Sequence, residues 1–329
     1  MLKKNKKVFL LLVSVLFIFS CKNASKNAEQ SYGKDIDELT NAINENPKNA
    51  ELYYKRAQLL FEKQKSMPAI DDLNKAISIA PDSVKYYLFI SDIYFSTVQT
   101  RKAKEALEKS LSIDKNNIDA NLKLSELYLY VQDHKKSISY ADNVFKLNVH
   151  QPKAYFLKGM NFKELGDTNK AVSNFQTVVE QDPDYYNAYM QLGILFGLKK
   201  NPLAEQYLNT ALKLNPQSTE ALYARGMFYQ DQNQFEKAIA DYDEIIKIDP
   251  NYAFAHYNKG YIDLVFRKDF NGGIENFTLA IKAKPDYTEA YYMRGKCYEG
   301  KGEAKLAKED FSKALSIDPD FELAKVALR

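Results

Sequence analysis

The chain has 329 residues, 45% hydrophobic and 27% charged, with only 12 Gly and 10 Pro. That balance excludes a disordered chain and argues against a turn-rich sandwich or barrel. The formal charge of +3 is local: Lys3, Lys4, Lys6 and Lys7 all precede Cys21, and without them 42 basic residues face 43 acidic ones, so no basic stripe remains to track a phosphate backbone and no nucleic-acid partner is expected.

The first element is an apolar run, Val8 to Phe19, preceded by the lysines and followed by Ser20 and Cys21. As a helix its twelve residues span only ~18 Å, against a hydrocarbon core of ~30 Å. The run therefore reads as a secretory signal, residues 1–20. Ile18-Phe19-Ser20-Cys21 resembles the bacterial lipoprotein signal, which implies that Cys21 is acylated and becomes the mature N-terminus. The polar stretch that follows reads as a flexible tether over 21–33, with an r.m.s. reach of about 20 Å. Cys297 is the only other cysteine, so no disulfide framework is expected.

Ile36, Leu39, Ala42 and Ile43 stand at helical spacing and predict a lone helix over 34–47. From there to Pro319 the chain repeats itself. Pro47, Pro81, Pro183, Pro216, Pro250, Pro285 and Pro319 mark a phrase with a period near 34 residues. The Pro is lost at Lys115 and Val149, one residue is missing near Lys200-Asn201-Pro202, and one is added near Asp269-Phe270-Asn271-Gly272. Both length changes are expected in turns, where they cost least.

Superposed, the repeats show a small column (Ala57, Ser91, Ser125, Gly159, Gly193, Gly226, Gly260, Gly295). A second small column runs from Ala69 to Ala307, followed four residues later by a bulky one from Leu73 to Phe311. Two helices approach closely only where the side chains at their crossing are small, and the Pro falls where the second helix must stop. With the aromatic opening at Tyr53, Tyr87, Tyr155, Tyr189 and Tyr291, these columns resemble the tetratricopeptide repeat. The resemblance implies an all-α, right-handed superhelical solenoid of about eight helix–turn–helix repeats over 50–319. Phe321, Ala324 and Leu328 then make the apolar face of a capping helix over 320–329.

No catalytic constellation stands out. His134, His150 and His256 are far apart in the repeat scheme and read as turn or packing residues. No nucleotide loop, metal motif or nucleophile elbow appears, so neither an enzyme nor a cofactor is expected.

What remains is surface. The family resemblance implies that the first helices line a concave groove where protein partners bind. The groove candidates are Tyr54, Phe156, Met190, Tyr223, Tyr257 and Tyr292 in one row, with Met160, Ile194, Met227 and Tyr261 in the next. Met and Tyr make adaptable contact surfaces suited to an extended or helical apolar segment, although aromatic side chains in the first row also serve to pack one repeat on the next. The Lys and Asn residues with which chaperone-tail binders of the family clamp a terminal carboxylate are mostly Tyr, Leu, Phe, Met and acids here.

The expectation is an envelope scaffold or adaptor, anchored to the membrane through its N-terminal lipid. Lys22 stands where Asp would direct retention at the inner membrane, which favours the periplasmic face of the outer membrane. The alternative is an envelope lipoprotein that binds glycans or small ligands through its tyrosines.

Overall fold

The computed structural model describes residues 25–329, with side chains from Asp35 onward. The signal segment and Cys21 lie outside the described residues. Among the described residues the regular elements are eighteen α-helices and one π-helical turn. By contacts the chain divides into two compact units, one reaching Ala120 and the other running from Asn121 to Arg329.

The first unit holds α1 (Ser25–Glu45) and two helix pairs, α2 (Ala50–Glu62) with α3 (Ser66–Ile79) and α4 (Val84–Ser96) with α5 (Thr100–Ile113). α1 begins at Ser25, so helix also covers 25–33, where the sequence suggests a tether. Ile43 of α1 joins Tyr53, Ala57, Leu73 and Ile90 in one buried cluster.

The second unit takes in most of α6 (Ile118–Tyr130), which pairs with α7 (His134–Leu147). Four more pairs follow: α8 (Pro152–Glu164) with α9 (Thr168–Gln181), α10 (Tyr186–Leu198) with α11 (Leu203–Leu214), α12 (Thr219–Asp231) with α13 (Phe235–Ile248), and α14 (Ala253–Ile262) with α15 (Phe270–Ala283). α16 (Thr288–Gly300) pairs with α17 (Ala304–Ile317), and α18 (Glu322–Ala327) closes the described chain. α18 lays Ala324, Phe321 and Leu328 against the cluster around Phe311, while Leu323 and Val326 stay exposed.

The small and bulky columns meet inside each pair. A Cβ on Gly159 would come within 2.6 Å of the Phe175 ring, one on Gly226 within 2.7 Å of Tyr242, and one on Gly295 within 2.6 Å of Phe311. Where the small residue is Ala57, Ser91 or Ser125 instead, its bulky counterpart is only Leu73, Leu107 or Ala141. Volume is exchanged between the columns, as close packing requires. Ser125 and Ser137 go further, each donating its hydroxyl to the other's carbonyl oxygen across the α6–α7 crossing.

Each turn inside a pair contains one left-handed residue, in chain order Gln64, Val98, Gln132, Gly166, Lys200, Asn233, Lys268 and Gly302. In all but the seventh pair it closes the first helix in a Schellman arrangement, as where the Gln99 amide donates to Tyr94 O and the Val98 amide to Phe95 O. Gly166 and Gly302 adopt this backbone freely, whereas Val98, a β-branched residue at φ 60°, is strained. Val98 is 68% exposed and buries little. Val98→Gly is therefore expected to stabilise the first unit by about 1 kcal/mol, the strain relieved less the backbone entropy of glycine. A rise in the urea midpoint is the readout.

Proline is not what stops the second helices. α5 and α7 end at Ile113 and Leu147, the same repeat position as α3 or α9, although Lys115 and Val149 replace the Pro. In both cases the next residue forms a side-chain turn: Asp114 Oδ1 accepts from the Asn116 amide and Asn148 Oδ1 from the His150 amide. Asp182, Asp249 and Asp318 do the same beside Pro183, Pro250 and Pro319. A short carboxylate or amide competes successfully with the helix for the backbone.

The missing residue near Pro202 shortens α11, which starts only at Leu203. The added residue is not in the Asp269–Gly272 turn, where the sequence places it. It is absorbed inside the first helix of that pair, as the π-helical turn Asp263–Arg267. A wider helical turn takes up one extra residue without displacing the packed columns on either side.

Candidate functional site

Tyr54 belongs to the first unit and the other nine groove candidates to the second. The first row is largely engaged in packing. Phe156 lies 5.5 Å from the Phe175 ring of its own pair and 5.2 Å from Tyr185, which leads into the next. Tyr223 contacts Tyr242 and Tyr252 in the same way, Tyr257 contacts Phe277 and Tyr287, and Tyr292 contacts Phe311 and Phe321. Tyr54 meets Tyr86 at 5.2 Å. Met190 is only 2% exposed and sits in the core cluster of α10–α13, so it offers no surface to a partner.

The second row, Met160, Ile194, Met227 and Tyr261, is half-buried like most of the first; Met160 and Ile194 also pack against buried clusters, and the Tyr261 ring lies 6.0 Å from Phe266. The first helices of successive pairs lie side by side here: Asn258 of α14 donates to the Met227 sulfur of α12 at 3.3 Å. Lys163 of α8 donates to Gln191 Oε1 of α10 at 2.6 Å. An aromatic group, Phe254, is 42% exposed beside Tyr223 and Tyr287, in a register position that Glu220 and Glu289 occupy in the adjoining pairs. Burial raises the phenol of Tyr185 to about 12 and lifts Tyr223 and Tyr257 as well, so these tyrosines remain neutral hydrogen-bonding groups at physiological pH.

Ion pairs inside the pairs follow a rule that spans the repeats. Arg56, Arg225 and Arg294 each grip the aspartate sixteen residues on, Asp72, Asp241 and Asp310, through two hydrogen bonds of 2.5–2.9 Å. Each also donates to a polar side chain sixteen residues back, Thr40, Asn209 or Thr278. Where the arginine is replaced by Lys158 or Lys259, the acid moves to the preceding helix, as Asp142 or Asp243. In the remaining pairs the position is Ile90, Leu124 or Leu192. These charges hold helices together.

The histidines are structural too. His256 is buried with Nε2 3.0 Å from Pro250 O, the bond that Tyr87 makes to Pro81 O at the same position five repeats earlier. His134 Nδ1 lies 3.0 Å from Asn161 Oδ1, and since Asn161 spends its amide on Ser137 and Leu157, the histidine is the donor. His150 is exposed in a turn. Cys297 is fully buried, and burial beside Asp263 and Asp269 pushes its thiol up to about 12, which leaves it unreactive.

Family models described as "Tetratricopeptide repeat" match residues 50–83, 84–117, 152–185, 219–252 and 288–321, together just over half of the chain. This chain belongs to the tetratricopeptide-repeat family. Among curated proteins it is 22% identical over 189 residues to anaphase-promoting complex subunit 3 of Schizosaccharomyces pombe, covering 57% of this chain and 28% of that one. It is 27% identical over 158 residues to human tetratricopeptide repeat protein 6, covering 46% and 30% respectively. The chain thus spans less than a third of the length of these relatives. Among solved structures, PilW, a widely conserved type IV pilus biogenesis factor, aligns with a TM-score of 0.56 at 17% identity over 64% of this chain and 98% of its own. The Cut9–Hcn1 hetero-tetramer of the anaphase-promoting complex aligns with a TM-score of 0.55 at 17% identity, over 91% of this chain and 59% of that one. Both likenesses concern the fold of consecutively packed helix pairs. That fold is a protein-interaction scaffold and generally non-catalytic.

In the seventh tetratricopeptide unit, the buried carboxylate of Asp263 accepts from Asn276 Nδ2 at 2.9 Å and from Arg267 at 3.3 Å, while Arg267 reaches on to Glu236. Burial nevertheless raises the Asp263 carboxyl above the ordinary range, outweighing the bonds that lower it. A raised carboxyl means the native state binds the proton more tightly than the unfolded chain. The penalty from Asp263 is fully present at neutral pH and fades as pH falls through the raised value toward ~4. Asp263→Asn, which keeps the acceptor for Asn276, is expected to melt at or above the wild type at pH 7, with the difference shrinking toward pH 4. Thermal melts at both pH values are the check.

The sequence reading missed Lys163, Phe254 and the arginine–aspartate pairs. Phe254 has a signal, since the other repeats carry a charged or polar residue at its position, and the Arg–Asp, Ile/Leu–Ala/Tyr and Lys–Asn combinations recur at equivalent repeat positions; Lys163 stands at a position of mixed character and has none.

Proposed function

We propose that this tetratricopeptide-repeat chain is a lipid-anchored adaptor of the cell envelope that binds protein partners along its first helices and performs no chemistry of its own. The observation that carries the binding part is the partly exposed apolar row Met160, Ile194, Met227 and Tyr261, beside the first-row aromatics. The row suits an extended or helical apolar segment of a partner in an envelope assembly. The anchoring part rests on the sequence alone: the lysine cluster, the short apolar run and Cys21 support lipid attachment, and Lys22 supports the periplasmic face of the outer membrane. No described helix is long and apolar enough to cross a membrane.

Two measurements test this reading. Crosslinking in the native envelope should recover the same protein partner repeatedly with the wild type and lose it with Met160→Ser/Tyr261→Ala, both proteins having equal circular dichroism spectra. Fractionation of Cys21→Ala should move the protein out of the membrane pool; an unchanged pool would overturn the anchor.

A further inference from the structure

Lys163 differs from the two lysines that replace the arginine of the repeat. Lys158 and Lys259, which are 21% and 23% exposed, each face an aspartate at hydrogen-bonding distance. Exposed Lys153 at the start of the same helix pairs with Glu126 at 2.8 Å. Lys163 is half-buried at the end of α8 and donates to a neutral amide oxygen, that of Gln191, at 2.6 Å. The nearest acids in electrostatic reach, Glu164 and Glu220, form no ion pair with it, and Glu164 faces His134 instead. Loss of water dominates its surroundings and holds its ammonium below the ordinary lysine value. A cation withdrawn from water without an anion is unfavourable unless a binding partner supplies the charge.

Its neighbours define what could supply it. Met160 lies one helical turn before Lys163, and Ile194 lies one turn after Gln191, so the cation sits within the apolar row. An ammonium has three donors, of which Gln191 takes one. We infer that Lys163 selects partner segments in which an internal aspartate or glutamate side chain is flanked by apolar residues, the carboxylate meeting the ammonium and the flanks covering Met160 and Ile194. This rests on the partner-binding reading above. It differs from a clamp on a chain terminus, since one lysine and one amide oxygen do not supply the several fixed donors that two terminal oxygens need. The pairing becomes charge-assisted and shielded by the flanking side chains, where it discriminates more sharply than an exposed pair.

The test uses the full chain in detergent and two immobilised arrays of twelve-residue peptides. The arrays are identical except for a central Glu in one and Gln in the other, with flanks randomised over Leu, Ile, Phe, Met, Ser and Thr. Wild-type protein is expected to be retained at least tenfold better by the Glu array. Lys163→Gln should abolish that ratio while keeping its circular dichroism spectrum, and Lys163→Arg should preserve most of it. Equal retention on both arrays, or a Glu preference that survives in Lys163→Gln, would overturn the inference. If wild type is retained without Glu preference and Met160→Ser/Tyr261→Ala is not, the role of Lys163 fails while the groove stands. Absence of any retention sensitive to Met160→Ser/Tyr261→Ala overturns both.

Discussion

Phe175→Ala is expected to destabilise the fourth repeat by about 3–5 kcal/mol, the largest effect of any single substitution considered. The ring is fully buried and lies directly on Gly159, whose missing Cβ makes room for it, with the Phe156 ring 5.5 Å away. Truncation leaves a void that Gly159 cannot fill. Gly159→Ala alone should also destabilise, by about 1–3 kcal/mol, because its Cβ would fall 2.6 Å from a ring with nowhere to go. Combining Gly159→Ala with Phe175→Leu recreates the Ala57–Leu73 crossing found in the first repeat, and should cost less than about 1.5 kcal/mol as a volume-conserving exchange. Such non-additivity is what touching residues produce. Urea titration gives the magnitudes, and hydrogen exchange should localise the loss to α8, α9 and their immediate neighbours, since a solenoid transmits stability between adjacent repeats. Additive effects of Gly159→Ala and Phe175→Leu would contradict the direct contact.

Asp241→Ala is the second large effect, expected at about 2–3 kcal/mol. Asp241 is 4% exposed and receives two guanidinium hydrogen bonds from Arg225, whose side chain is 22% exposed. Removing the carboxylate leaves a mostly buried cation with Asn209 as its remaining partner at 2.6 Å. Breaking a buried pair is costlier than replacing it whole, and partial exposure of Arg225 places the loss toward the lower end. The chain contains its own control. Leu192 with Tyr207, and Ile90 with Ala106, occupy the same two positions in other repeats without any charge. Arg225→Leu/Asp241→Ala should therefore be more stable than Asp241→Ala by at least 1 kcal/mol, an expectation built on the near-neutrality of swapping buried ion pairs for apolar groups. A double variant as unstable as the single one would show that the carboxylate does more than neutralise Arg225.

The sequence by itself determined the repeat. Period, the small crossing and the bulky residue opposite it depend on interactions within about forty consecutive residues, and each leaves a mark in the sequence. The volume exchange between Gly159 and Phe175 or Ala57 and Leu73 was already visible as two columns. Even the histidines were readable as turn or packing residues, since His256 stands in the position that Tyr87 occupies elsewhere and makes the same bond to a preceding carbonyl.

Tertiary structure decided the rest, because the partner of a side chain on a neighbouring helix is not fixed by its own local pattern. Met190 and Met160 are the same residue type on adjacent groove rows, yet one is enclosed by α10–α13 and the other keeps surface in water. The extra residue of the seventh repeat could lie in a turn or within a helix with the same sequence length, and packing of the columns at Gly260 and Gly273 forces it into the π-helical turn between them. Whether a lysine meets an acid, as Lys158 does, or an amide, as Lys163 does, depends on which helix stands opposite. Local periodicity specifies the stack; only the packed neighbours specify which of its side chains are left over for a partner.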